Sequence, residues 1–333
     1  MKRLLGNEEL KEHFKAAIRG KKISHAYLIE GEKGSGKKLF AETIAGILQC
    51  EAPLTLPEGP AACGNCNSCI MVKNRNHPDV IWVTHEKPRT IAVSEVRTQL
   101  VNTVDVIPYK GPYKIYIIDE AEKMNEASQN AILKTIEEPP DYAVILLLSA
   151  NQGAFLPTIL SRCVLLNMKP VPDELVKNYL MRECGVKEEL ADFCAGFAMG
   201  NIGKAKEAAA SEEFGELREY GIALLRQIHE LEIYEITERI KGFLNWQGRI
   251  EDYLDIMLIW FRDLLVLKAM DKDEKLILKG EYYSLRKQSE LAEYWTIHEI
   301  IKEIGHTRTR INVHVNFANS LEVLHIKIRG YFR

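Results

Sequence analysis

No window of this sequence approaches the run of ~18 apolar residues that a membrane-crossing helix needs. The first residues, Met1-Lys2-Arg3-Leu4-Leu5, pass at once into Gly6-Asn7-Glu8-Glu9, so no signal peptide is expected. Cysteine is present but not in the manner of a secreted scaffold. There are seven, an odd number with no export signal beside them, which argues against a disulfide framework and for a reducing, cytoplasmic compartment. Clustered cysteines are then read first as metal ligands. An excess of positive charge is also missing: 44 Lys and Arg stand against 47 Asp and Glu, a net charge of -3. That balance excludes the basic footprint of a domain that grips nucleic acid over its whole surface, so any contact with DNA is expected to be local or made through an assembly. Repeats and low-complexity segments are lacking as well.

What is present is ordinary globular material. At 333 residues, 46% hydrophobic and 27% charged, the chain has enough apolar side chains for two or three cores. The first half alternates short apolar runs with amphipathic stretches, the pattern of a parallel sheet flanked by helices. Strands are expected at Tyr27-Leu28-Ile29, Val80 to Val83, Lys114 to Ile118 and Val144 to Leu148, each apolar enough to be buried on both faces. Helical periodicity marks Lys37 to Leu48 and Ala127 to Glu137. After Pro170-Val171-Pro172 the character becomes all helical. Helices are expected at Asp173 to Cys184 and Glu188 to Met199, and Ile250, Leu254, Met257, Phe261 and Leu264 form one helix face. The expected class is α/β followed by all-α, with boundaries giving 1–168, 169–210 and 211–333.

Gly31-Glu32-Lys33-Gly34-Ser35-Gly36-Lys37 follows a strand and opens a helix, the context in which a phosphate-binding loop forms. Its glycines let backbone N–H groups converge on phosphate oxygens, and the helix N-terminus adds partial positive charge. Lys37 would reach the terminal phosphates. The next position calls for Ser or Thr, whose hydroxyl holds magnesium, but here it is Lys38, which has no lone pair when protonated. Further on, Asp119 and Glu120 end a strand. In P-loop ATPases the Asp orients magnesium and the Glu activates water. ATP and magnesium are therefore candidate ligands, with hydrolysis placed in question by Lys38.

Cys50, Cys63, Cys66 and Cys69 form a C-x12-C-x2-C-x2-C set. Gaps of two residues let successive thiolates turn onto one ion, and four thiolates close a tetrahedral structural zinc site. Pro53, Pro57, Gly59 and Pro60 between them suit a loop that needs a metal staple. Cys184 and Cys194 read as buried thiols, and His25, His77 and His85 as local hydrogen-bonding groups. Arg162, in Pro157-Thr158-Ile159-Leu160-Ser161-Arg162-Cys163, is placed at a helix end, from which an arginine can reach a neighbour's ATP and stabilise transition-state charge. Its plain alternative is a surface salt bridge.

Several stretches together resemble the bacterial clamp-loader subunits of the AAA+ family. Gln129 to Pro140, with its Glu137-Glu138-Pro139-Pro140 ending, is similar to the signature after the Asp-Glu strand. Ser161-Arg162-Cys163 is similar to the motif carrying the trans-acting arginine, and the inserted cysteines resemble that family's zinc module. Ser24-His25-Ala26-Tyr27-Leu28 before the loop fits too. The likeness covers residues 1 to 210, and the helical remainder matches in length and character. It implies an AAA+ P-loop module, a small helical lid, and a C-terminal collar through which such subunits form a pentameric hetero-oligomer. Implied partners are gamma/tau ATPase and delta subunits, with the sliding clamp and primer-template DNA met through the assembly. Asn151 would stand at the sensor 1 position, and Gly203 where sensor 2 has Arg. Lys38 and Gly203 both point away from the gamma/tau ATPase and toward a non-hydrolysing partner subunit. Two other readings stay open: a working gamma/tau-type ATPase, and a zinc-containing nucleic-acid module with a vestigial loop. Net negative charge and the lack of interleaved basic and aromatic residues near Cys63 to Cys69 weigh against the last.

Overall fold

The computed structural model describes residues 4–20, 22–56, 59–270, 275–313 and 315–332; Met1, Lys2, Arg3 and Pro57 lie outside them. The chain divides into two compact units, residues 1–175 with 200–203, and residues 176–199 with 204–333. No helix among the described residues is long and apolar enough to cross a membrane.

In the first unit the order is α1 (Glu8–Arg19), β1 (Ala26–Glu30), α2 (Lys37–Leu48), β2 (Leu54–Leu56), β3 (Gly59–Ala61), α3 (Asn67–Lys73), β4 (Val80–Val83), α4 (Val93–Val96), β5 (Lys114–Ile118), α5 (Glu126–Glu137), β6 (Ala143–Ser149), α6 (Pro157–Leu160) and β7 (Val164–Asn167). Five strands form one parallel sheet in the order β4-β5-β6-β1-β7. The expected strands are all there. β5 and β6 are buried at every position, because helices cover both faces. Alternate residues feed opposite cores. Tyr27, Ile29, Ile115, Ile117, Leu146 and Leu148 meet Phe14 of α1 and Phe40 and Ile44 of α2. On the other face Leu28, Tyr116, Ile118, Ile145 and Leu147 meet Val96, Leu100, Ile132 and Ile136.

The sequence reading did not anticipate three strands. β7 is a short edge strand in which buried Leu166 follows exposed Leu165, so its apolar run is too brief to announce itself. β2 and β3 pair as a small antiparallel hairpin inside the cysteine segment.

The second unit is helical. α7 (Asp173–Cys184) and α9 (Ile202–Ala210) bracket α8 (Glu188–Ala198), and α10 (Glu212–Gln227), α11 (Ile233–Gly242), α12 (Ile250–Met270), α13 (Tyr282–Leu291), α14 (Tyr294–Asn312) and α15 (Phe317–Tyr331) follow. α12 has the expected apolar face, with Ile250, Leu254, Met257, Phe261 and Leu264 all within 2% exposure. Two of the polar side chains buried with it, Trp260 and Tyr253, are paired. Trp260 Nε1 donates to Gln288 Oε1 at 2.9 Å. The Tyr253 hydroxyl and His325 Nε2 lie 2.6 Å apart in parallel rings, while His325 Nδ1 faces the Leu321 carbonyl at 2.7 Å. Full burial pushes the His325 imidazole down to about 4. Cys194 is buried as expected, but Cys184 is exposed. It continues the Val176 and Leu180 stripe, yet α7 ends on it and Gly185, at φ +67, turns the chain away.

Candidate functional site

The phosphate loop joins the C-terminal end of β1 to the N-terminus of α2, as its motif requires. Two backbone bonds fix it to the sheet: Gly31 N donates to Ser149 O at 3.0 Å and Met168 N to Glu30 O at 2.8 Å. Gly34 and Gly36 take φ of +90 and +101, open to glycine and strained for any other residue. Ser35 N donates to Glu32 O at 3.1 Å, and the Ser35 hydroxyl lies 3.8 Å from Met168 Sδ.

Lys37 and Lys38 are both engaged by groups of this chain. Lys37 Nζ donates to the carbonyls of Gly31 and, at 2.8 Å, Glu32. Burial pulls the Lys37 ammonium below its ordinary range, and the nearby Glu122 and Asp119 carboxylates work against that shift. Lys38 Nζ sits 2.6 Å from Asp119 Oδ2 at the end of β5. Glu120, at φ +50, is paired with Lys123 Nζ at 2.5 Å, and that bond holds its carboxyl below the usual range. Asn151 Oδ1 accepts from Gly153 N at 2.9 Å, which caps its own turn.

Magnesium does not fit these residues. The loop position that should offer a hydroxyl oxygen offers an ammonium, and that ammonium already neutralises the carboxylate that would orient the ion.

Gly203 explains itself by contact. Its N–H donates to Gly34 O at 3.0 Å, and a Cβ built on it would lie 2.6 Å from Gly34 Cα. No side chain can enter there while the two backbones touch. Asn201 strengthens the same seam, its Nδ2 donating to Lys33 O at 2.7 Å. No local pattern signals this role for Asn201, since its partner lies 168 residues away.

The four cysteines are brought together. Cys50 follows the C-terminal end of α2, and Cys66 caps α3, with Cys69 one turn on. Their sulfurs all lie within 4.8 Å of one another, with Cys63 and Cys69 Sγ 3.9 Å apart. Four Zn–S bonds of ~2.3 Å give a tetrahedron with edges of about 3.8 Å, so the donor set fits zinc in kind and in spacing. Backbone N–H groups of Cys63, Cys66 and Cys69 point at the sulfurs of Cys50, Cys63 and Cys66, at 3.2, 3.3 and 3.4 Å. Hydrogen bonds from Asn65 and Cys66 draw the Cys63 thiol down to about 6, while burial raises Cys50 and Cys69. Glu51 stitches the segment through Ser68 Oγ at 2.9 Å. Two of the histidines behave as local partners: His77 Nδ1 accepts from Asp79 N, and His85 Nδ1 faces Lys87 O.

Arg162 follows α6, whose Ile159 is fully buried. Its Nη1 donates to Thr158 O at 3.0 Å and Ser161 Oγ at 3.1 Å. Its Nε lies 2.9 Å from Glu137 Oε1, and 38% of the side chain remains exposed.

Comparison with known proteins agrees with this arrangement. The family model described as DNA polymerase III, delta subunit matches residues 6–172, half of the chain. The Bacillus subtilis DNA polymerase III subunit delta' is 27% identical over 312 residues, covering 92% of both chains. The Pseudomonas aeruginosa subunit delta' is 39% identical over 142 residues, covering 42% of each. The Bacillus subtilis subunit tau is 26% identical over 90% of this chain, which spans only 56% of tau. With the P-loop sheet, the cysteine insert and the Ser161-Arg162-Cys163 corner inside or beside the matched half, the chain belongs to the DNA polymerase III delta-subunit family of clamp-loader proteins and is of the delta-prime type.

Proposed function

We propose that this chain fills the delta-prime position of the DNA polymerase III clamp loader and lends Arg162 to the ATP site of a neighbouring gamma/tau subunit. The observation that carries this reading is the 2.6 Å ion pair between Lys38 and Asp119. It spends the chain's own metal-orienting carboxylate on an internal cation, whereas the arginine corner keeps both its motif and its exposure. In this reading the loop is an architectural remnant of the ATPase fold. The hydrolysis it serves takes place next door.

Residues 1–168 then act as the P-loop module, 169–210 as the lid and 211–333 as the collar of a pentameric hetero-oligomer with gamma/tau and delta subunits. The assembly would open the sliding clamp and place it on primer-template DNA in the cytoplasm. Cys50, Cys63, Cys66 and Cys69 hold a structural zinc ion. When bound, that ion supplies a crosslink across a segment with little core of its own, and its closed thiolate set leaves no position for substrate.

The test is turnover of the purified chain, alone and in the reconstituted loader. Alone, ATP hydrolysis should be at background with or without magnesium. Magnesium-dependent turnover that Lys37→Ala abolishes would show instead a working ATPase.

A further inference from the structure

We propose that Glu137 is the positioning residue for Arg162, and this rests on the reading of Arg162 as a trans-acting arginine. Glu137 is the last residue of α5, just before Glu138-Pro139-Pro140. A carboxylate at that end faces the negative pole of the helix dipole and gains most from a nearby cation. Arg162 supplies it, Nε to Oε1 at 2.9 Å.

Three contacts hold the guanidinium, through two of its three nitrogens. Nε meets Glu137, and Nη1 donates to Thr158 O and Ser161 Oγ. Nη2 has no partner among the described residues, so two N–H donors of the fork remain for an incoming oxygen. A planar guanidinium gripped at Nε and Nη1 and open at Nη2 is prepared for a phosphate oxygen from outside the chain.

The frame beneath the pair is rigid. Gln129 of α5 is 3% exposed and bridges to the turn before α6 in both directions. Its Nε2 donates to Ala154 O at 2.9 Å, and its Oε1 accepts from Leu156 N at 2.8 Å. α5 is sunk into the core through Ile132 and Ile136, and α6 through Ile159. The distance from Glu137 to the Arg162 backbone is therefore set by packing, and the ion pair need fix only the side chain's rotamers. An exposed pair of this kind adds little to folding stability, so what it contributes is orientation.

The experiment is a double-mutant cycle in the reconstituted loader, measuring DNA-stimulated ATP hydrolysis over a range of ATP concentrations. Glu137→Ala should lower kcat at the neighbouring site about tenfold and leave KM for ATP unchanged. The thermal midpoint of the purified variant should match the parent chain. In an Arg162→Ala background the same change should do nothing further, because Glu137 acts only through Arg162. An unchanged kcat, or an equal loss in both backgrounds, overturns the proposal while leaving the trans-arginine intact. If Arg162→Ala by itself has no effect, the underlying reading falls and the positioning role with it.

Discussion

The phosphate loop and the Ser161-Arg162-Cys163 corner present opposite treatments of a cation in one α/β unit. At the loop, Lys37 is bonded to the loop's own carbonyls and Lys38 to Asp119. At the corner, Arg162 is held by three anchors with half of its fork unengaged. The loop is closed upon itself and the corner is prepared for something outside. On the proposed reading, the fold keeps the scaffold of a nucleotide site at one place and a working part of a neighbour's site at another.

The largest test of this contrast is Arg162→Ala. In the reconstituted loader it should slow hydrolysis at the adjoining site by ~10³, the usual worth of such an arginine, as read in single-turnover, DNA-stimulated assays. A change below tenfold would reduce the corner to an ordinary surface pair.

Next in size is the cysteine cluster at the far end of the helix that opens the phosphate loop, where the proposed zinc would act as a fastener. Metal content near one ion per chain should be lost on Cys66→Ser. Chelation or that substitution should lower the thermal midpoint, since binding energy of a structural zinc is folding energy. Zinc content that survives the substitution would remove Cys66 from the ligand set.

The helical unit supplies a control that touches neither region. His325 is held neutral, with a folded value of about 4 against an ordinary 6.5. Between those values the unfolded chain binds the extra proton. Stability is then complete above pH ~6.5 and falls as pH drops toward ~4, by up to roughly 3 kcal/mol. His325→Phe should flatten that part of a pH series of unfolding midpoints.

Smaller still is Gly203→Ala. A methyl forced to within 2.6 Å of Gly34 Cα should cost about 1–3 kcal/mol or pry the 200–203 segment from the loop. Limited proteolysis or hydrogen exchange at residues 31–37 would register the release. An unaltered exchange pattern would mean the seam is looser than drawn. The smallest effect belongs to Lys37→Ala, which should leave the assembled loader's ATPase unchanged. A clear loss there would erase the contrast, because it would put the loop to use.

Much of this was legible in one dimension, for a physical reason. A strand buried on both faces needs consecutive apolar residues, so β1, β4, β5 and β6 announce themselves. A thiolate pair closing on one ion needs a two-residue gap, so Cys63, Cys66 and Cys69 announce theirs. What the sequence hid was whatever depends on who meets whom. β7 was too short and too exposed at Leu165 to stand out. Cys184 kept the helical stripe of its neighbours but ran out of helix to cover it. Glu137 lay within a motif already singled out, yet its partnership with Arg162 exists only once α5 and α6 are docked.

From the sequence alone came the phosphate-loop fold, the clustered thiols of the cysteine insert, and the absence of a hydroxyl at position 38. Spacing and residue chemistry determine these, because each acts over one turn of chain. The tertiary structure decided what Lys38 does in place of that hydroxyl. Sheet order sets the ends of β1 and β5 either side of β6, and this brings an ammonium and a carboxylate 81 residues apart to 2.6 Å. The same kind of closure over distance fixed Gly203 against Gly34 and Arg162 against Glu137. Contacts of that range depend on packing, and no local pattern in the chain encodes them.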